Sequence, residues 1–304
     1  MIKTLRNLFK NSQINFMSYR RVAIYFSIIS MIFSLILVFF KGLNLSIDFA
    51  GGVLIEIELP KNSNNLTTAD NLRNVLSSKF FDVQIQNIDN NSFLIKLPLA
   101  NQQQNFVVKN MQQVLQENFT QIQYRKIDYV GPQVGSELIF KGLLALLFSF
   151  IAIMIYITIR FEWQFGIGGI FALLHDAIVV LGFFAITGLE FNLTSIACIL
   201  TVIGYSINDS VVIYDRIREN LKKHPKINLN DLINTSINST LSRTILTAST
   251  TLISLLALII YGGNVLFSFS MATFFGIALG TYSSIYISAP ILFYFDPRSK
   301  KETI

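Results

Sequence analysis

Four ionisable residues interrupt stretches that are otherwise apolar: His175 and Asp176 within 165–189, Asp209 within 191–214, and Arg243 at the start of 243–261. A titratable group at bilayer depth is costly, and where one is kept it marks an ion or substrate path. Burial favours the neutral form of an aspartate, whereas a neighbouring guanidinium favours the carboxylate. A carboxylate that gains and loses an arginine partner as helices shift therefore changes its proton affinity. That is the minimum machinery for coupling proton entry to a conformational change. Other chemistry has little to draw on: a single Cys excludes a disulfide framework or a multi-cysteine cluster, and there are only two His.

Depth can be read by counting. Asp209 lies 19 residues after Glu190, and Arg243 lies 18 before Tyr261. At about 1.5 Å per residue, both sit roughly 27–28 Å below the same membrane boundary. If the two helices are neighbours, an ion pair between them is allowed, and Asp176 could join it. Thr240, Thr244, Thr247, Thr251 and Ser254 make a polar stripe continuous with Arg243, and Thr194, Cys198, Thr201, Tyr205 and Asp209 share a second face. Gly276-x-x-x-Gly280 followed by Ser284 is a small-residue face of the kind that lets helices approach closely. Any one of these hydroxyls, and His175 alone, also reads as a packing residue.

The elements that carry these residues follow from composition. Of 304 residues, 52% are hydrophobic and 14% charged, with mean hydropathy +0.52. An ordinary soluble domain carries about 25% charge. About 20 apolar residues cross a bilayer as a helix, and six such spans can be placed: 22–41, 138–159, 165–189, 191–214, 243–261 and 266–295. The uncharged run in 22–41 lacks the small residues of a cleavage site and reads as an uncleaved anchor rather than a signal peptide. The rest divides into an N-terminal segment 1–21, an external domain 42–136, a five-helix membrane domain 137–295 with a basic loop at 215–242, and a tail 296–304. Lys3, Arg6, Lys10, Arg20, Arg21, Arg160, Arg216, Arg218, Lys222, Lys223, Lys226, Arg243, Arg298, Lys300 and Lys301 all fall on one side. The positive-inside rule then puts both termini in the cytoplasm and 42–136 on the periplasmic side. The net charge of +6 is thus an orientation signal. No nucleic-acid partner is expected, because the basic loop adjoins a span.

The external segment alternates as a strand over Ile47–Leu59, ending Val53-Leu54-Ile55-Glu56-Ile57-Glu58-Leu59. A helix opens at Thr67/Thr68-Ala69-Asp70, strands follow at Val83–Ile88 and Phe93–Leu97 about a turn at Asp89-Asn90-Asn91, a helix runs over Gln102–Phe119, and a strand over Ile122–Val130. The order β-α-β-β-α-β is the ferredoxin-like arrangement. The fold class is therefore an α-helical polytopic membrane protein of six transmembrane helices, with a ferredoxin-like α+β domain between spans 1 and 2. That domain reads either as a passive spacer or as a moving arm that grips something outside the membrane.

Several segments resemble the SecD/SecF family of protein-export membrane proteins, in the resistance-nodulation-division superfamily. They are Ile47-Asp48-Phe49-Ala50-Gly51-Gly52, Val130-Gly131-Pro132-Gln133-Val134-Gly135-Ser136-Glu137-Leu138, Arg160-Phe161-Glu162-Trp163, Leu174-His175-Asp176 and Ser242-Arg243-Thr244. The most specific is Gly204-Tyr205-Ser206-Ile207-Asn208-Asp209-Ser210 with Asp215-Arg216-Ile217-Arg218-Glu219-Asn220. Ala50 stands where the family commonly has Thr. The resemblance implies an accessory subunit of the Sec translocase in the bacterial inner membrane that uses the proton motive force in late steps of preprotein export. It further implies SecD as the partner supplying a second set of six spans, the SecYEG translocon beside it, YajC and YidC as further partners, and unfolded preprotein and protons as what is handled. Asp209 and Arg243 are the residues it implicates in proton coupling; no cofactor or metal is expected, and the chain is not expected to be an enzyme.

Two other readings stand beside it. Asp176 and Asp209 on adjacent spans could share one proton as an intramembrane aspartyl protease, although no Gly-x-Gly turn precedes Asp209. Half of a proton-driven efflux transporter is the second, against which the single compact external domain argues.

Overall fold

The computed structural model describes residues 13–59, 65–80, 83–89, 91–98, 104–119 and 121–298. The basic residues Lys3, Arg6, Lys10, Lys300 and Lys301, together with Asn90 and Gln102, lie outside the described residues. A 3-10 turn at Phe16–Tyr19 leads into helix α1 (Arg20–Phe40). A short helix α2 (Ile47–Ala50) and strand β1 (Gly52–Glu58) follow. Next come α3 (Asn65–Ser77), β2 (Gln84–Asp89), β3 (Ser92–Pro98), α4 (Gln104–Asn118) and β4 (Gln123–Val130). Five long elements complete the chain: α5 (Pro132–Arg160), α6 (Trp163–Thr187), α7 (Leu193–Lys223), α8 (Leu229–Tyr261) and α9 (Gly263–Ser283). The last continues through a π turn (Ser284–Ser288) into α10 (Ala289–Tyr294).

Among the described residues, six helices are long and apolar enough to cross a membrane. Spans 3 and 6 (α6, and α9 through α10) are the most buried of the six, whereas spans 1, 2 and 5 keep most of their apolar surface open. The reason is packing order: α6 is flanked by α1, α5, α7 and α9, and α9 lies against α6, α7 and α8. The residues that do the work therefore sit on the two innermost spans and on α7.

The sheet has the order β2-β3-β1-β4, antiparallel throughout, which is the ferredoxin-like topology expected. In β1, Val53, Ile55 and Ile57 point one way and are buried against Leu72 and Leu76 of α3 and Met111 and Leu115 of α4. Each such side chain contributes about 1.5–3 kcal/mol of burial. Because successive residues of a strand face opposite sides, Lys96, between Ile95 and Leu97, faces away from these helices. It bonds Glu190 in the α6–α7 connection. The open sheet face is thus turned to the helical bundle, with α3 and α4 on the far side.

Two element assignments differ from the sequence reading. Ile47–Ala50 form a turn of helix rather than the start of a strand, because Ser46 caps it by accepting from the Asp48 N–H. The basic segment 215–242 is not a loop: α7 continues to Lys223, α8 begins at Leu229, and only 224–228 connect them. Leu229, Leu232, Ile233, Ser236 and Ile237 supply a buried face at helical spacing, packed with Ile213, Tyr214 and Ile217 of α7.

Candidate functional site

Asp176, in the middle of α6, is fully buried and has every carboxylate oxygen engaged. His175 Nδ1 lies 2.9 Å from Oδ1, and Oδ2 accepts from Ser206 Oγ of α7 at 2.6 Å and from Ser283 Oγ of α9 at 2.7 Å. The other ring nitrogen of His175 faces Ser30 Oγ of α1 at 3.4 Å. The Tyr282 ring lies 6.2 Å from the imidazole, and its hydroxyl donates to the Ala23 carbonyl of α1 at 2.9 Å. One polar network therefore ties α1, α6, α7 and α9 at the centre of the bundle. Buried networks of this kind are stable only when satisfied, and this one is.

Glycines make the approach of those helices possible. A Cβ on Gly182 would come within 2.2 Å of Ser34 Oγ, so α1 lies directly on α6 there. On α9, Gly276 receives Val202 and Gly280 receives Ser206, a matched four-residue register along α7. The small-residue face read from the sequence is thus the α7–α9 seam. The hydroxyl that reaches Asp176 is Ser283, however, whereas Ser284 donates back to the Thr281 carbonyl.

Asp209 sits one turn beyond Ser206 on α7 and is 2% exposed. Its Oδ2 is buried with no hydrogen-bond partner, as are the OH of Tyr205 four residues earlier and the Oγ of the adjacent Ser210. Arg243, on the neighbouring α8, lies at the surface of the chain. Its helix packs against α7, yet the two side chains form no direct ion pair among the described residues, and Asp176 does not join them. The expected polar stripe on α8 closes on its own backbone: Thr240, Thr247, Thr251 and Ser254 each donate to a carbonyl about one turn back. On α7, Cys198 and Asp209 are buried, but Thr194 and Thr201 are exposed. The buried polar face is instead Ser195, Ser206, Asp209 and Ser210.

The two carboxylates thus differ in kind, one fully held and one open. Among the described residues they share no hydrogen bond, whereas a protease dyad holds one proton between two carboxyls. Sequence reasoning missed Ser30, Ser206 and Ser283. Ser206 was legible as the residue one turn before Asp209, and Ser283 as the position two full turns after Gly276.

A second cluster joins the external domain to the bundle. Gly51, at φ +75°, ends α2, and a Cβ on Gly52 would stand 2.5 Å from the Leu97 carbonyl oxygen. A Cβ on Gly135, in the first turn of α5, would meet the Phe49 carbonyl oxygen at 2.3 Å. The two segments Ile47–Gly52 and Val130–Leu138, far apart in sequence, therefore meet at backbone contact. The chain just before α2 also pairs with the α6–α7 connection: Phe191 N–H donates to the Asn44 carbonyl at 2.7 Å and Ser46 N–H to the Phe191 carbonyl at 2.9 Å. The Lys96–Glu190 ion pair, with side chains 10% and 19% exposed, closes this junction. The domain is docked onto the connection between the helices that carry Asp176 and Asp209.

Residues 110–298 match the family described as "Protein export membrane protein SecD/SecF, C-terminal", and residues 36–59 match the "SecD/SecF GG Motif". The chain is 50% identical over 302 residues to the protein translocase subunit SecF of Rickettsia rickettsii, covering 98% of this chain and 96% of that one. It is also 50% identical over 289 residues to the SecF of Rickettsia typhi, covering 93% of this chain and 92% of that one. Among solved structures it resembles SecDF, a translocon-associated membrane protein from Thermus thermophilus, at TM-score 0.80 and 36% identity, covering 95% of this chain and 39% of that chain. A super-membrane-facing form of SecDF aligns at TM-score 0.74 and 35% identity over 96% of this chain and 40% of that chain. The chain therefore belongs to the SecD/SecF family of protein-export membrane proteins and is an accessory subunit of the Sec protein translocase.

Proposed function

We propose that this multi-pass protein uses the proton motive force in late steps of preprotein export, together with SecD and beside the SecYEG translocon, with YajC and YidC as further partners. The observation that carries the reading is Asp209, a carboxylate at membrane depth whose Oδ2 is buried and unbonded while a guanidinium waits on the next helix. A proton and Arg243 are alternative ways of neutralising that carboxylate, and a shift of α8 against α7 decides between them. Asp176 and His175 form the second proton-responsive centre, deeper in the bundle. The domain at 42–136 lies on the periplasmic side and the termini in the cytoplasm of the inner membrane, following the basic residues. In this reading the α6–α7 connection moves the docked domain, which contacts emerging unfolded preprotein.

The SecDF chains that this protein resembles are more than twice its length, and it spans about 40% of them. A separate SecD supplying the remaining spans accounts for that difference. The exposed apolar faces of α1 and α5 are surfaces such a partner could cover. In cells, Asp209→Asn is expected to leave co-purification with SecD intact and to reduce preprotein export to the level of a strain lacking this chain. Undiminished export would remove Asp209 from the mechanism, and absence of SecD from the purified wild-type complex would remove the partnership.

A further inference from the structure

The hydrogen atoms around Asp176 can be counted. A carboxylate oxygen offers two in-plane acceptor positions, and both positions on Oδ2 are taken, by the hydroxyls of Ser206 at 2.6 Å and Ser283 at 2.7 Å. These are the lengths of hydroxyl bonds to a charged acceptor. A proton that arrives on Oδ2 must displace one of them.

Ser283 has a backbone carbonyl to turn to, whereas the alternative acceptor for Ser206 is Ser283 itself, at the longer 3.3 Å. The Oγ of Ser283 lies 3.1 Å from the Gly280 carbonyl oxygen one turn back on α9. If its single hydrogen rotates to Gly280, its oxygen becomes free to accept. Oδ2–H then donates to Ser283 Oγ, Ser283 Oγ–H donates to the Gly280 carbonyl, and Ser206 Oγ–H keeps the remaining position on Oδ2. One proton is gained, one hydroxyl rotates, and no buried group loses its partner. The π turn at Ser284–Ser288 begins at the next residue, and such turns inside helices are frequent at functional sites.

We infer that Ser283 is a positioning residue of the proton-coupling centre, whose hydroxyl reverses from donor to acceptor so that Asp176 can take up and release a proton inside the membrane. This rests on the proton-coupled reading above and assigns part of that coupling to a side chain on α9. Besides Asp176, the ionisable groups are His175 next to it on the same helix, Tyr282 of α9 against that imidazole with Tyr286 packed beyond it, and, along α7, Tyr205 and Asp209 on either side of Ser206. α1 brings the Ser27 and Ser30 hydroxyls and an exposed Tyr25, and between Lys141 and Arg160 the ionisable residue of α5 is the exposed Tyr156.

The test is the pH profile of export driven by an imposed proton gradient in vesicles containing the full complex, for wild type, Ser283→Ala, Ser283→Thr and Asp209→Asn. The alanine variant loses a charge-assisted bond to the carboxylate but only a neutral one to the protonated acid. Its half-maximal pH is therefore expected to rise, by about one pH unit, the size of one such bond. Ser283→Thr keeps the hydroxyl and is expected to keep the wild-type profile. An unmoved profile in Ser283→Ala overturns the inference, as does an equal shift in Ser283→Thr. Asp209→Asn separates the two levels: loss of its proton response with an unmoved Ser283→Ala profile refutes Ser283 alone, whereas a normal response refutes the coupled reading and this inference with it.

Discussion

Ser206 Oγ on α7 is 2.6 Å from Asp176 Oδ2 on α6, and Asp209 follows one helical turn later on the same helix as Ser206. The held carboxylate and the open one are therefore linked through a single stretch of α7. A change in how α7 sits on α6 is felt at both. At its start, α7 receives the external domain through the Phe191 and Glu190 contacts, so the same helix connects the bundle interior with the domain.

The Lys96–Glu190 pair is the most enclosed ion pair between the domain and the bundle among the described residues. Removing one partner of a buried pair leaves an uncompensated charge, at a cost of about 3–5 kcal/mol. Lys96→Met or Glu190→Gln alone should loosen the domain and expose its linkers to protease. Lys96→Glu with Glu190→Lys should recover most of the protection. Protease resistance unchanged in the single variants would show that the pair does not hold the domain.

Gly135 touches the Phe49 carbonyl more closely than any side chain permits. Gly135→Ala should push α5 away from α2, at about 1–3 kcal/mol as for other overpacked contacts. Thermal unfolding in detergent should show a lower Tm, whereas Gly188→Ala, with open space around it but φ +68°, should lose less. An unchanged Tm in Gly135→Ala would contradict the close contact.

A ladder of Asn230, Asn234 and Asn238 on α8 grips the segment that enters α1. Asn238 both accepts from the Ile14 N–H at 3.0 Å and donates to its carbonyl at 2.8 Å, Asn234 accepts from the Met17 N–H at 3.0 Å, and Asn230 accepts from Arg20. The ladder ends five residues before Arg243. Asn234→Ala with Asn238→Ala should free this segment at a cost of about 1 kcal/mol per lost bond. Amide hydrogen exchange at residues 14–17 should then speed up by about tenfold or more. Exchange at the wild-type rate would show that the ladder is not what orders it.

Much of this architecture was legible because its signals are long and local. Twenty-residue apolar runs announce a membrane span, and the alternation Val53-Leu54-Ile55-Glu56-Ile57 announces a strand, which the structure pairs with Phe93, Ile95 and Leu97. The helical stretches 215–223 and 229–242 are obscured by the basic residues around their connection, although Leu229, Leu232, Ile233 and Ile237 keep a helical period. At the site, sequence reasoning found the costly residues and not their partners. Asp176, His175 and Asp209 stand out in apolar surroundings, whereas Ser206 and Ser283 look like any small helix-packing residue. At 3.6 residues per turn, two turns from Gly276 end at Ser283, not Ser284. Counting in fours continues the small-residue face to Ser284, which is buried, and passes over the hydroxyl that reaches Asp176. The Asp209–Arg243 relation was legible as equal depth, but depth does not fix the rotation of each helix, and the two groups stand near each other without bonding.

The central claim is that Asp209 is where a proton enters the working cycle. The most direct measurement is the ratio of preprotein export with and without an imposed pH gradient, in vesicles carrying SecD, the translocon and either wild-type protein or Asp209→Asn at equal abundance. The account predicts a ratio well above one for wild type and a ratio of about one for Asp209→Asn, a loss of nearly all proton-driven stimulation for one neutral, isosteric change. Stimulation of equal size in both would contradict it.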